Sequence, residues 1–543
     1  MLDLSCLGYE HKDFIKNNIQ GRKWDGRRWL APDTIHNELL LAHILGKSLY
    51  PPHAEPTHAE STHAEPINLK YAESILAVDF FEHQKTLTEF ALKTRTVLIG
   101  AEPRTGKTNI ALAVGLILNE PILWFAPKQP ILDLEVKYRH LPVHFISYSE
   151  ADKFYPLVSK YKVVVLDELH NLKTEDSKRS EVFNNLYEDM YKAHGKHNFY
   201  IIGLTGTPTP LNPLDLWNQA EIILPGFIRF KDQNTMRDYV AETQLIDTEN
   251  GQPLNGREPI GRAVIQIVDF IEERVAEVAS ALSPMMRCVR KADVFNLPPV
   301  EVEYIQLEAD STLQRNARIL RRSCETVSKL TQALRRLSDG VIYLDSYDEV
   351  KDRKNREIRQ LANPKKNWIR DTYVPEVLQS ETGRGLVFAG FVGSVEGVAL
   401  TIAEATQNLF PPVEVIRVNG LGWFKVTSGR NKKLNNEEIK YILSQFDRSR
   451  TDEWDNKKYF MVGHPKSLAT GLELSAVDHL VWYSGVDDGE AFAQAKERPY
   501  SFNRGQTVLK MSFLCLLPSD KIIYERLEKK ESLQSITFKE LAL

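Results

Sequence analysis

A chain of 543 residues exceeds what one hydrophobic core supports, so two or three domains are expected. Its 42% hydrophobic and 26% charged residues describe a globular protein, and a formal net charge of -4 leaves any contact with nucleic acid to local basic patches. No stretch approaches the ~20 apolar residues of a membrane helix, Asp3 and Glu10 break any signal pattern, and Cys6, Cys288, Cys324 and Cys515 form no CxxC pair, which argues against a zinc site or a disulfide framework. A cytoplasmic protein is expected.

Residues 1–50 read as a small accessory unit in which Lys16, Arg22, Lys23, Trp24, Arg27, Arg28 and Trp29 interleave cations with aromatics. Such a unit either clamps phosphates and stacks on bases, or packs its tryptophans on a neighbouring domain and leaves a solvated basic face. Residues 51–66 repeat a His-Ala-Glu pentapeptide three times. Its prolines and lack of apolar anchors predict a semi-extended linker and not a metal site built from His53, His58 and His63.

From Phe80 a helix carrying Gln84 leads to the apolar strand Val97–Gly100 and the turn Ala101–Thr108, followed by the helical run Asn109–Leu118. Backbone amides around Arg104, Thr105 and Gly106, with the positive helix end, cradle phosphate; Lys107 reaches the terminal phosphates and Thr108 can ligate magnesium. Ala101 stands where the strict phosphate-loop pattern has its first glycine. The amide of Gln84 offers a donor and an acceptor to the edge of adenine.

Further strands are expected in Pro121–Lys128, which ends in a turn with the cation Lys128, at His144–Tyr148, and at Val163–Leu166, where four consecutive apolar residues run into Asp167 and Glu168. A carboxylate pair at the end of a buried strand suits Asp167 to the magnesium of a bound triphosphate and Glu168 to the proton of an attacking water. Another strand, Phe199–Leu204, ends in Thr205, Gly206 and Thr207. Strands alternating with helices predict a doubly wound parallel sheet over 67–300, whose stretch 226–295 reads as mostly helical. In a second α/β domain over 301–543, residues 311–337 read as one amphipathic helix, followed by strands at Gly385–Phe391, Val413–Val418, Tyr459–Gly463, His479–Ser484 and Met511–Leu516. No second phosphate loop precedes that series, so a nucleotide is expected between the two domains.

These strings resemble, in order and wording, the Swi/Snf family of superfamily 2 helicase-like ATPases, in its compact bacterial or viral form. Ala101–Thr108 resembles the first motif, Asp167–Lys173 the DEAH-like box, and Leu204–Pro208 with Asn212, Trp217 and Leu224–Gly226 the third motif and its tail. Ala469–Asp478 is similar to the fifth motif, and Gln494 through Gln506 to the sixth. The likeness covers roughly residues 75–530 and implies two tandem RecA-like lobes with helical insertions, an ATP and Mg2+ requirement, and movement along duplex or branched DNA without strand separation. It further implies that Lys128, Thr470 and Gly471 meet DNA phosphates, that Thr205, Gly206, Thr207 and Gln494 couple hydrolysis to motion, and that Glu473 meets the nucleotide. Either Arg498 or Arg504 serves as the arginine finger, six residues apart where the family has two arginines three apart.

A monomer working in remodelling, repair, recombination or replication, alongside the proteins of those processes, is the leading expectation. The alternatives are a strand-separating helicase, for which no separation hairpin is evident in the sequence, and an adaptor that binds DNA or protein and uses hydrolysis as a timer.

Overall fold

The computed structural model describes residues 2–3, 23–24, 29–31, 68–174, 177–196, 198–248, 252–254, 258, 262–324, 327–348, 353–468, 472–486, 488–505 and 507–542. Near the amino terminus β1 (Leu2–Asp3), β2 (Lys23–Trp24) and β3 (Trp29–Ala31) form a three-stranded antiparallel sheet in which Trp24 lies opposite Trp29. Arg22, Arg27, Arg28 and the 51–66 repeat lie outside the described residues. The chain divides into two compact units, one of Met1–Ile246, Ala263–Val294 and Ser532–Leu543, the other of Asp247–Arg262 and Phe295–Glu531.

Unit 1 carries β4 (Thr96–Ala101), β5 (Ile122–Ala126), β6 (Val143–Ser147), β7 (Val163–Asp167), β8 (Tyr200–Thr205), the hairpin strands β9 (Ala241–Asp247) and β10 (Ala263–Phe270), and β11 (Met286–Val289). Six of these form one sheet in the order β11-β4-β8-β7-β5-β6, every neighbouring pair parallel. The continuous apolar runs follow from burial on both faces. Alternate residues serve separate cores: Leu98, Phe125, Leu166 and Ile201 on one face, Ile99, Trp124, Val165 and Ile202 on the other.

Unit 2 holds β12 (Val300–Gln306), a hairpin of β13 (Val341–Asp348) and β14 (Arg353–Gln360), then β15 (Arg384–Phe388), β16 (Val413–Asn419), β17 (Gly422–Thr427), β18 (Arg430–Lys433), β19 (Lys458–Gly463), β20 (His479–Trp482) and β21 (Leu509–Cys515). Its eight-stranded sheet runs β12-β21-β20-β15-β19-β16-β17-β18, with only β17 and β18 joined antiparallel. Again the strands alternate between two cores, Phe388, Met461 and Trp482 against Val387, Val462 and Val481.

The α/β class and the two parallel sheets agree with the sequence, and three local features do not. The 226–295 stretch, read as helical, contains the β9–β10 hairpin between helices Gln233–Val240 and Glu272–Ala281, because the β-branched run Ala263–Phe270 favours strand. The helix expected over 311–337 is two, Ser311–Ser323 and Val327–Ser338, interrupted where Cys324 takes ψ 126°. The β13–β14 hairpin, with eight-residue strands, was not evident from the sequence. Helix Pro518–Glu540 gives Ile523, Tyr524 and Leu527 to a core of unit 2 and Phe538 to a core of unit 1. No helix among the described residues is long and apolar enough to cross a membrane.

Candidate active site

Unit 1 gathers its chemistry at the carboxyl ends of β4, β8 and β7, which are neighbours in the sheet. After β4 the chain turns through Arg104 at φ +71° and Gly106 at φ +88° into helix Lys107–Leu118. Gly106 is required on two grounds, its left-handed backbone and the Gln84 Nε2 atom, which a Cβ would approach to 1.9 Å. The loop is tied from outside: Gln84 Nε2 and His83 Nε2 donate to the Thr105 carbonyl at 3.0 and 2.8 Å. Burial holds the His83 imidazole below its ordinary pKa, which keeps it neutral, with the Thr105 hydrogen bond acting the other way. Gln84 Oε1 accepts the Phe81 N–H at 3.1 Å, so both ends of this amide engage the protein. Lys107 folds over the loop and donates to the Ala101 carbonyl at 2.6 Å.

Asp167 ends β7 in the interior. Burial and the adjacent Glu168 charge push its carboxyl up to about 7 against the pull of Lys107, although the Glu168 N–H donates to it at 3.0 Å. The Tyr148 hydroxyl fixes the strand end by donating to the Asp167 carbonyl at 2.8 Å. Glu168 adopts φ +50°, which turns its carboxylate from the strand towards the end of β8. There it accepts the Gly206 N–H at 3.4 Å and lies 3.4 Å from His170 Nδ1. The same His170 nitrogen is 3.0 Å from Thr205 Oγ1 and 3.5 Å from Thr207 Oγ1. A Cβ at Gly206 would sit 3.3 Å from both Lys107 Nζ and Pro103. Lys107, Asp167, Glu168, Thr205, Gly206 and Thr207 therefore belong to one constellation. Thr108 lies in the first turn of the loop helix, and Lys128 is exposed at the start of helix Lys128–Tyr138.

In unit 2, Gln494 sits on helix Gly489–Lys496 and donates to Glu490 at 3.3 Å. Arg498 follows that helix, half-buried. Arg504 is a core residue: its guanidinium donates to the carbonyls of Ser475, Val477, Thr507 and Val508. Burial, then the neighbouring Arg448, lowers it to about 10. Glu473 lines an open cavity of about 430 Å³ with Lys440, Asp447 and Arg450. Thr470 and Gly471 lie outside the described residues.

No family model matches the chain. A mouse protein named DNA annealing helicase and endonuclease ZRANB3 is 20% identical over 382 residues, 69% of this chain and 30% of that protein. Its bovine counterpart is 20% identical over 349 residues, 64% of this chain and 27% of that protein. The chain is thus similar in sequence to these helicases, in keeping with the Swi/Snf-type resemblance of its motifs. It spans less than a third of the length of these curated relatives. Among solved structures, the Sulfolobus solfataricus SWI2/SNF2 ATPase core in complex with dsDNA aligns over 85% of this chain and 95% of that one, at 14% identity and a TM-score of 0.33.

Two residues of the candidate site escaped sequence reasoning. His83 stands beside Gln84, and Tyr148 directly follows a strand, but neither position reveals a bond to a loop 22 residues away or to a strand end 19 residues away. The neighbouring carboxylate motif was the only available signal for Tyr148.

Proposed function

We propose that the chain is a DNA-stimulated ATPase that binds ATP on the 101–108 loop and uses its hydrolysis to translocate along duplex DNA. The observation that carries this reading is the convergence of Lys107, Asp167, Glu168 and the Thr205–Thr207 turn on three adjacent strand ends. Loop amides and Lys107, released from the Ala101 carbonyl, hold the terminal phosphates. Glu168, held by the Gly206 N–H and near His170, takes the proton of the attacking water. A buried carboxylate raised by burial and by a like-charged neighbour is short of positive charge, so Asp167 fits a divalent cation, with Thr108 as its companion ligand. Magnesium, when bound, supplies charge neutralisation at the phosphates.

Because Arg504 is engaged within its own unit, Arg498 is the better candidate for the finger. Glu473 is assigned to the nucleotide, Gln494 to coupling, and Lys128, Thr470 and Gly471 to DNA phosphates. Gln84 can read adenine only by exchanging one of its present partners, so Gln84→Ala should alter the preference for ATP over GTP; an unchanged ratio removes that role. Deleting residues 1–66 should spare ATPase activity on plain duplex and weaken any preference for forked DNA.

The deciding experiment measures ATPase rate without DNA and with single strands, duplex and forks, followed by triplex displacement on the best activator. Stimulation by duplex with displacement supports translocation; stimulation without displacement supports the timer. One observation favours strand separation as a second reading, the β13–β14 hairpin with its paired eight-residue strands. Unwinding of a fork in the same assay would select it.

A further inference from the structure

Glu102 is an anion in a loop assigned to anionic phosphates, which calls for a compensating role. It follows β4, and β11 runs parallel beside β4 with Val289 opposite Ala101, so the residues that leave the two strands meet. The Glu102 N–H donates to the Val289 carbonyl at 3.0 Å. Glu102 Oε2 accepts the backbone N–H of Lys291, 189 residues away in sequence, at 2.8 Å. On its other side the Glu102 carbonyl accepts the Thr105 hydroxyl at 2.7 Å, inside the phosphate loop. Lys291 is buried and opens the short helix Lys291–Val294, the last element of unit 1 before the chain passes into unit 2 at Phe295. Arg290 is paired with Asp293 at 2.9 Å, and its guanidinium is raised by that partner first and by the Glu102 charge in addition.

We infer that Glu102 is a positioning residue that reports phosphate occupancy of the loop to the segment by which the chain leaves unit 1. The inference rests on the ATPase reading above. Phosphate entering the loop places negative charge beside the Glu102 carboxylate and reorders Thr105, which its carbonyl holds. The hydrogen bond to Lys291 then changes strength, and the exit helix changes its hold on unit 1. The signal is a part-buried hydrogen bond from a backbone N–H to the Glu102 carboxylate and not a surface ion pair, so salt screens it weakly.

The test is hydrogen exchange of the full chain at the Lys291 amide, without nucleotide and with the ATP analogue AMP-PNP, whose binding is followed separately by thermal shift. In the wild type, AMP-PNP should change exchange at this amide about tenfold, a shift of the size of ordinary site-to-site coupling. In E102A the amide should exchange fast in both states, and E102Q, which keeps an acceptor oxygen, should restore its protection. Triplex displacement per ATP hydrolysed should fall in E102A, and E102Q, which keeps the bond without the charge, should protect the amide and lose its response to AMP-PNP. A wild type that binds AMP-PNP with no change at Lys291 overturns the inference and leaves the ATPase reading standing. A response that E102A retains does the same. Failure to bind AMP-PNP overturns both. If E102A does not fold, the wild-type response and E102Q still decide.

Discussion

Asp167 in unit 1 and Asp339 in unit 2 are both buried carboxylates raised first by burial, each with a second carboxylate and one lysine nearby, and they differ in the neutral partners around them. Asp339 accepts the Ser394 hydroxyl at 2.5 Å and lies 3.5 Å from Lys365 Nζ, while Lys365 also reaches Asp520 at 3.1 Å and the Tyr483 carbonyl at 3.0 Å. Asp520 accepts the Ser338 hydroxyl at 2.6 Å and the Leu516 and Leu517 amides. Asp167 instead meets the adjacent Glu168 charge, the Glu168 N–H and the opposing Lys107, which donates to a loop carbonyl. The backbone shows the same contrast. Among the described residues, the non-glycines with positive φ are Ala77, Arg95, Arg104, Asn119 and Glu168, all in unit 1. Ala77, Arg95 and Asn119 end helices, whereas Arg104 and Glu168 flank the candidate site. Unit 2 surrounds its buried carboxylates with hydroxyls, amides and one buried lysine, and unit 1 sets its raised carboxylate beside two left-handed residues.

The comparison breaks most visibly at Lys365. Removing its ammonium in Lys365→Met leaves two buried carboxylates uncompensated, and loss of one partner of a buried pair costs about 3–5 kcal/mol. Chemical denaturation should show that loss in the transition of unit 2. A change within ordinary surface-mutation range would mean that the serine hydroxyls and backbone amides suffice to hold Asp339 and Asp520.

In unit 1 the corresponding loss should appear in turnover. Glu168→Gln keeps shape and removes the base, and Lys107→Ala removes the cation on the terminal phosphates; each should lower DNA-stimulated ATPase by about 10²–10³ or more, the range seen when one group stabilising a transition state is deleted. Nucleotide binding should survive in Glu168→Gln. Full turnover in that variant would take the base away from Glu168.

Asp167→Asn should be stabilising, and only at the right pH. Folding raises this carboxyl from 3.8 to about 7, so its contribution to stability is present below about pH 4 and lost as pH rises through about 7. The melting temperature of Asp167→Asn should match the wild type at pH 4 and exceed it at pH 8, while ATPase is abolished. Equal effects at both pH values would show that Asp167 ionises without penalty in the folded chain.

Features legible in the sequence share a physical cause. A strand buried on both faces has to be apolar throughout, so β4, β7 and β8 announce themselves, and the residues at their ends follow by position. Partners are not written in periodicity. The apolar spacing of 311–337 continues across Cys324, so the pattern cannot display the break. Strand β10 is largely exposed and lacks the clean alternation of a half-buried strand. Arg498 and Arg504 are both cations in the sequence, and the four carbonyls that hold Arg504 have no local signature there. The Glu102 to Lys291 bond joins residues 189 positions apart and has no local signature.

The smallest predicted effect tests the strain at Arg104 itself. A left-handed backbone costs an L-residue about 1–2 kcal/mol, whereas glycine carries no such penalty but adds about 0.4–1 kcal/mol of unfolded-chain entropy. Arg104→Gly should therefore gain up to about 1 kcal/mol of stability. Arg104→Ala keeps the strained φ and loses only the guanidinium, so it should not share the gain. If the strain persists because the guanidinium serves the phosphates, both variants should show a raised KM for ATP, and Arg104→Gly would be the more stable and the weaker binder. A melting temperature lowered in Arg104→Gly would mean that the contacts of the Arg104 side chain outweigh its backbone strain, and would move the loop from the strained side of the comparison to the satisfied one.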